Sequence, residues 1–208
     1  MFWRKSQMNT LKTERRDLAE KAKKLRREGF ITGNIFGHQI EGSIPVKMSR
    51  PEVEKVMKTH GKGSKLTLEL EGKTYPVLIK ELQYNPMKGQ FDEIDFQALV
   101  GDEMVRSVAE VQIHNHDKLH AGLLQQELTE ISYSAFPADL IEKVVIDAEP
   151  LNIGDTVTVG DLEIAGNPKI HLHTDPHAVV VTVTTASTHH EKAEDAEEPA
   201  SEETAAQK

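Results

Sequence analysis

The chain has 208 residues, a formal net charge of −9 from 25 basic and 34 acidic side chains, and no cysteine. The lack of cysteine excludes disulfides, thiolate nucleophiles and cysteine-ligated zinc, so the core must hold by burial alone. No run of about 18 uncharged apolar residues occurs, and residues 1–8 lack the apolar centre of a secretory signal. These features predict a cytoplasmic protein of one large or two modest domains, with no membrane contact.

The two halves of the chain carry opposite charge. Residues 1–100 hold 19 basic and 13 acidic side chains, net +6, whereas residues 101–208 hold 6 and 21, net −15. The whole positive excess lies within residues 1–30. A polyanion such as RNA is a natural partner for that segment, although a solvated lysine-rich helix face has the same composition.

Apolar residues at helical spacing occur near the start of the chain. Leu18, Ala22 and Leu25 recur at intervals of four and three. The pattern predicts a helix within residues 11–29, at least from Asp17 onward. Its three apolar side chains would face a core, and its basic side chains would be displayed to solvent.

The rest of the first hundred residues is predicted to be mostly strands. Residues 29–37, with three glycines, are typical of an irregular strand that another backbone approaches closely. Residues 44–48 read as a strand, and a Ser-Arg-Pro-Glu capping box directly after them predicts a helix. Alternation in residues 66–70 and 74–82 around a Glu-Gly turn predicts a hairpin. Residues 91–99 follow as a further strand.

β-branched runs separated by turn residues predict a second β-rich region. These runs are residues 105–113, 144–146, 156–159 and 178–183. We therefore predict a mainly β fold with a few helices, divided into an RNA-binding domain (1–100), a β-rich domain (101–187) and a tail (188–208). The last 20 residues hold seven acids and two lysines, which favours a disordered acidic tail.

Several motifs in a fixed order resemble a known family. They are Lys-Lys-Leu-Arg-Arg-Glu-Gly at 23–29, Phe-Gly at 36–37, Gln-Tyr-Asn-Pro at 83–86, Ile-Asp-Phe at 94–96, Phe-Pro-Ala-Asp-Leu at 136–140 and Leu-Asn-Ile-Gly-Asp at 151–155. Together they resemble the L-twenty-five ribosomal protein family of bacteria, whose longer members are also called CTC or general stress proteins. The likeness spans about residues 11–185.

The resemblance implies an N-terminal β-barrel that binds 5S ribosomal RNA in the central protuberance of the large (50S) subunit. A second β domain of less defined role would follow, with neighbouring large-subunit proteins as further partners. The resemblance implies no catalytic activity, no cofactor and a monomer within the ribosome. The phosphate-binding patterns GxGxxG and GxxxxGK[ST] and the nucleophile pattern GxSxG are also missing from the sequence.

Candidate RNA contacts combine this resemblance with side-chain chemistry. An arginine guanidinium can bind two phosphate oxygens or a guanine edge at once, and lysines add salt-sensitive affinity. Aromatic rings stack on bases, while amides and carboxylates reach base edges. The candidates are Lys12, Arg15, Arg16, Lys23, Lys24, Arg26, Arg27, Phe36, Gln83, Tyr84, Asn85, Glu93 and Asp95.

Four positions leave alternatives open. Phe36 is as compatible with a core aromatic as with a stacking platform, and Asp95 with a structural salt bridge as with a contact to bases or to an arginine. Glu93 stands where the family usually has histidine, and Thr32 where it commonly has proline. These departures support an alternative function: a divergent general stress paralogue that acts mainly as a protein-interaction module and binds RNA weakly.

Two further hypotheses concern the second half of the chain. His114 and His116, or His171 and His173 with His177, are spaced to share one strand face and could hold a metal. No HExxH helix and no cysteine accompany them, so we predict solvated histidines and no metal site. The acidic second domain could instead dock a basic protein, although its charge could serve solubility alone.

Overall fold

The computed structural model describes residues 10–119 and 122–185, and the predicted tail lies outside these ranges. The first hundred residues hold six strands and two helices: β1 (Thr10–Arg15), α1 (Ala22–Arg27), β2 (Phe30–Phe36), β3 (Ser43–Ser49), α2 (Arg50–Met57), β4 (Lys65–Leu70), β5 (Lys73–Asn85) and β6 (Gln90–Ala98). Neither α1 nor α2 has the length and hydrophobicity that a bilayer crossing requires, and these are the α-helices of the described ranges.

The six strands close into a barrel in the order β1-β3-β2-β6-β5-β4. Alternating residues face its interior, as in the run Leu66, Leu68 and Leu70 of β4. The barrel closes where β1 pairs in parallel with β4, with Leu11 opposite Leu68. Closure leaves no free sheet edge and buries one continuous apolar core.

The predicted helix within residues 11–29 is wrong in its first half. β1 occupies the start of that segment, with Leu11 and Thr13 facing the barrel core. Leu18, expected against a core, is 77% exposed in the connection that follows. The helix begins only at Ala22, and Leu25 is its buried anchor. Long-range pairing of β1 with β3 and β4 overrides the local helical spacing.

The described residues after 100 form seven strands: β7 (Val105–His114), β8 (Leu123–Gln126), β9 (Glu130–Ala135), β10 (Lys143–Asp147), β11 (Thr156–Thr158), β12 (His171–Leu172) and β13 (Val179–Thr184). Short 3₁₀ turns cover His116–Lys118 and Val159–Asp161. The strands form a four-stranded sheet, β10-β7-β9-β12, and a three-stranded sheet, β11-β13-β8. The prediction of a mainly β fold with few helices is confirmed, whereas the division at residue 100 stays a prediction.

The barrel (β1–β6) and the C-terminal module (β7–β13) pack against each other. Leu78 of β5 is fully buried and belongs to the apolar core of the C-terminal module. Lys65 donates from Nζ to the carbonyl oxygen of Pro137 at 2.9 Å, and Lys62 Nζ lies 2.7 Å from Oε2 of Glu130. Basic groups of the barrel thus face carboxylates and carbonyls of the module.

Candidate nucleic-acid interface

A depression of about 340 Å³ lies beside α1 and the turn between β5 and β6. Five of its six lining residues are cationic and the sixth is an amide: Lys23, Arg26, Arg27, Arg50, Lys88 and Gln90. Three come from α1, one from the first position of α2 and two from the β5–β6 hairpin. We call this surface the basic depression. Its concave shape and positive charge suit a polyanion such as an RNA backbone.

Helix α1 presents its cations because only one of its faces is buried. Leu25 is 1% exposed, whereas Lys23, Lys24 and Arg27 point to solvent. Basic residues in the last turn of a helix also interact favourably with its C-terminal carbonyls. Gly29 follows with φ of +91°, a conformation that ends helices readily only at glycine. The short helix α1 therefore presents several positive charges on its exposed face.

Arg26 is the one α1 cation tied to the hairpin. Its Nη1 atom lies 3.8 Å from Oδ2 of Asp92, and its carbonyl oxygen accepts a hydrogen bond of 2.7 Å from Nη2 of Arg50. Asp92 also accepts hydrogen bonds from Nδ2 of Asn85 at 3.1 Å and Nε2 of Gln90 at 3.2 Å. One carboxylate therefore joins α1 to the hairpin and orients the arginine.

These contacts keep Asp92 ionised. The hydrogen bond from Asn85 is the strongest influence that lowers the pKa of Asp92, with smaller contributions from Gln90, Arg26 and Lys88 against an opposing effect of burial. An ionised carboxylate beneath the basic depression costs some positive potential there. In return it fixes the guanidinium of Arg26 in one geometry.

Three arginines of this region keep unpaired donors. The Nε atoms of Arg16, Arg26 and Arg50 are shielded from solvent and have no hydrogen-bond partner within the described residues. A shielded donor without an acceptor costs free energy, about 1–3 kcal/mol for a typical group.

Two other surfaces hold three more of the predicted cations. Arg15 and Arg16 line an open depression of about 510 Å³ together with Leu18. Lys12 lies elsewhere, in a groove of about 410 Å³ between β1 and α2 that also contains Lys55. The structure therefore distributes the predicted basic candidates over three surfaces and brings only Lys23, Arg26 and Arg27 into the basic depression. Lys24 stands outside it, between Glu20 and Glu28 at 3.8 and 3.7 Å.

The predicted aromatic and amide candidates lie on the hairpin and on β2. Tyr84 is 54% exposed and meets Phe91 edge to face, with 5.2 Å between ring centroids. Gln83 is exposed and pairs across the hairpin with Glu93. Phe36 is half-buried at the end of β2, which suits neither a full core position nor an open stacking platform.

Asp95 has a neutral partner rather than an arginine. Its Oδ1 accepts hydrogen bonds from the backbone nitrogen and from Nδ2 of Asn34, at 3.2 and 3.1 Å. The side chain is half-buried on the outer face of β6, two residues from Glu93. Asp95 therefore joins two neighbouring barrel strands, β2 and β6.

Thr32, where the family commonly has proline, is buried, and its hydroxyl lies 3.4 Å from the carbonyl oxygen of Asp92.

Sequence reasoning missed four residues that build the basic depression or support it: Arg50, Lys88, Gln90 and Asp92. Arg50 was recognised only as part of a helix start, and Lys88 was not singled out. Their approach to α1 depends on barrel closure, which no local pattern reveals. The charge of Lys88, between the predicted strands 74–82 and 91–99, was the signal available.

The histidine pairs of the C-terminal module do not form a cluster in the described ranges. No group of three or more His, Asp or Glu side chains there is arranged to hold a metal ion. His173 instead places Nε2 2.6 Å from the hydroxyl of Ser134 on the neighbouring strand.

Both parts of the chain match described families. Residues 11–96 match the Ribosomal L25p family, and residues 105–187 match the family of the ribosomal protein TL5 C-terminal domain. The large ribosomal subunit protein bL25 of Geobacillus kaustophilus is 33% identical over 162 residues, 77% of this chain and 76% of the relative. The proteins of the same name from Moorella thermoacetica and Carboxydothermus hydrogenoformans are each 30% identical, over 79% and 88% of this chain and 80% and 91% of the relatives. The similarity covers the barrel and the C-terminal module alike.

Proposed function

Because the chain belongs to the bL25 family of large-subunit ribosomal proteins, we propose that it is a structural protein of the large ribosomal subunit that binds 5S ribosomal RNA in the central protuberance. Its place would be the cytoplasmic ribosome, with neighbouring large-subunit proteins as further partners. The role is one of binding, and no catalytic step is assigned to it.

The basic depression is the observation that carries this proposal. It joins three cations of α1 to Arg50 and to Lys88, although these positions are far apart in sequence. Such a convergence gives a local excess of positive charge in a chain whose net charge is −9. Phosphate contacts supply most of the salt-dependent affinity for nucleic acids, so this surface is the expected anchor.

The surroundings of the depression suit structured RNA better than a linear polyanion. The major groove of an A-form helix is deep and narrow, so proteins recognise its minor groove, its phosphates and its irregular loops by shape. Tyr84 and Gln83 stand on the same hairpin as Lys88 and can reach an unstacked base or a ribose. The barrel therefore offers charge and base-edge or stacking groups together.

A binding comparison at two salt concentrations tests the proposal. The full chain should bind 5S ribosomal RNA more tightly than transfer RNA and a random duplex, and the preference should persist at the higher salt. Equal affinity for all three RNAs would contradict a 5S-specific role and leave only a general polycation. The variant Arg27→Ala, with Lys73→Ala as a control from the exposed start of β5, would localise the contact to the basic depression.

A further inference from the structure

A second group of cations lies where the barrel meets the C-terminal module. A cleft of about 290 Å³ opens there, between β5, the loop before β4 and the start of β7. Lys62 and Lys80 line it from the barrel, and Arg106 lines it from the C-terminal module. We call it the junction cleft. It shares no lining residue with the basic depression.

Lys80 is the central cation of the junction cleft. It is half-buried in β5, and its Nζ donates a hydrogen bond of 2.7 Å to the carbonyl oxygen of Arg106. An ammonium group has three donors, so two N–H groups are left for another acceptor. Burial lowers the pKa of Lys80, and the charges of Arg106 and Lys62 lower it further. The three positive charges are therefore close enough to repel one another.

Carboxylates neutralise this cluster only in part. Lys62 pairs with Glu130 across the junction at 2.7 Å. Lys80 and Arg106 enter no salt bridge among residues 10–119 and 122–185. Two unpaired cations of different modules therefore share one partly enclosed space. An anion with more than one negative charge would relieve their repulsion.

A phosphate group has the chemistry that this cleft lacks. It carries several acceptor oxygens and up to two charges, so it can accept from an ammonium and from a planar guanidinium fork at the same time. A single carboxylate carries only one negative charge against the two cations. Partial enclosure also favours the interaction, because salt screens it less than on an open surface.

We propose that the junction cleft is a phosphate-binding site in which Lys80 and Arg106, from opposite sides of the junction, hold the same phosphate. The phosphate belongs either to an RNA backbone or to a free phosphate compound. Bound there, it clamps the C-terminal module against the barrel. The site stands independently of 5S RNA recognition, because none of its residues belongs to the basic depression.

Inorganic pyrophosphate is the probe for the site itself. Titration of the full chain, followed by backbone amide shifts, should move the resonances of Gly63, Ser107 and Val108, which line the cleft. Lys80→Gln should weaken pyrophosphate binding at least tenfold. Lys73→Gln is the matched control, because it removes the same charge from the exposed start of the same strand and should change binding less than twofold.

A duplex RNA of arbitrary sequence identifies the source of the phosphate. If RNA supplies it, Lys80→Gln should lower the slope of log K against log salt by about one unit. A weakened pyrophosphate affinity with an unchanged RNA slope would assign the cleft to free phosphate compounds. If the chain shows no preference for 5S ribosomal RNA, the predicted pyrophosphate binding is unaffected. The two proposals can therefore be contradicted independently of each other.

The variant Arg106→Gln keeps the pyrophosphate test valid if Lys80→Gln fails to fold. Arg106 is exposed on β7, so its substitution should not disturb either core even if Lys80→Gln lowers the melting temperature. It should weaken pyrophosphate binding at least fivefold, whereas Glu130→Gln, which frees Lys62, should strengthen binding. Wild-type pyrophosphate affinity in folded Lys80→Gln or in Arg106→Gln would overturn the proposal.

Discussion

Gly63 of the barrel meets Val108 of the C-terminal module so closely that a β-carbon on Gly63 would collide with the Val108 carbonyl oxygen. The glycine also has φ of +82°, in the left-handed region that side chains rarely adopt. Its amide donates to the carbonyl oxygen of Ile79 at 2.9 Å, which fixes the loop on the barrel. One residue without a side chain thus sets how near the two parts of the chain can come.

Gly63→Ala should loosen the junction. Left-handed strain and overpacking each cost about 1–3 kcal/mol, so the free energy of unfolding should fall by at least about 2 kcal/mol. Gly61→Ala is the control, since its β-carbon would lie 3.7 Å from Oε2 of Glu110 in ordinary contact. Chemical denaturation measures both variants. Equal stability of the two would show that the loop can move away from Val108 at little cost.

Alanine substitutions of Arg27 and Arg26 should have different effects on RNA binding and on stability. Arg27 is exposed and enters no salt bridge in the described part of the chain, so Arg27→Ala should lower the salt slope of RNA binding by about one unit without changing the melting temperature. Arg26→Ala should lower both, because it also leaves Asp92 without its cation. A salt titration with paired thermal scans checks this. An unchanged slope in both variants would remove α1 from the interface.

Parts of the fold were predictable because their information is local. Alternating leucines around a Glu-Gly turn predicted the hairpin that the structure shows as β4 and β5. The Ser-Arg-Pro-Glu motif at 49–52 predicted α2, although Ser49 makes no side-chain capping bond in the structure. β1 was not predictable this way, because the partner of Leu11 is Leu68, more than fifty residues later. β9 was missed although Ile131, Tyr133 and Ala135 alternate with serines, which is the period-two pattern of a half-buried strand.

The candidate site likewise combines residues that local sequence predicts with residues that only the closed barrel brings together. The α1 cations were predictable, since a run of lysines and arginines with one buried leucine has a single sensible orientation. The contribution of Arg50 was not, because it depends on the pairing of β2 with β3, which places the start of α2 beside α1. Asp92 was overlooked for the same reason. Its role as an anchor of Arg26 exists only in the closed barrel.

Asp92 should make stability fall in acid. The pKa of Asp92 is lowered in the fold, chiefly by the hydrogen bond from Asn85. A carboxyl with a lowered folded pKa adds stability above the unfolded value, about 3.9, and loses that contribution as the pH falls through the folded value. Asp92→Asn should therefore be less stable than wild type at pH 7, and the difference should shrink as the pH falls through the lowered pKa of Asp92. Urea midpoints across this range provide the measurement, and parallel curves would contradict the assignment.

Tyr133 should report on the core of the C-terminal module. It is fully buried, and its hydroxyl donates to the carbonyl oxygen of Ile141 at 2.7 Å and accepts from the Ile141 amide at 2.8 Å. Tyr133→Phe would leave both backbone groups unpaired at a cost of about 1–3 kcal/mol. Tyr75→Phe, in a half-buried position on β5, should cost less than half as much.

A second measurement on Tyr133→Phe tests the burial of Tyr133 directly. Burial raises the pKa of Tyr133, so its phenol should ionise late in an alkaline absorbance titration of the folded wild type. That late component should vanish in Tyr133→Phe and survive in Tyr75→Phe. If it survives in both variants, the late component belongs to another tyrosine, which would contradict the burial of Tyr133.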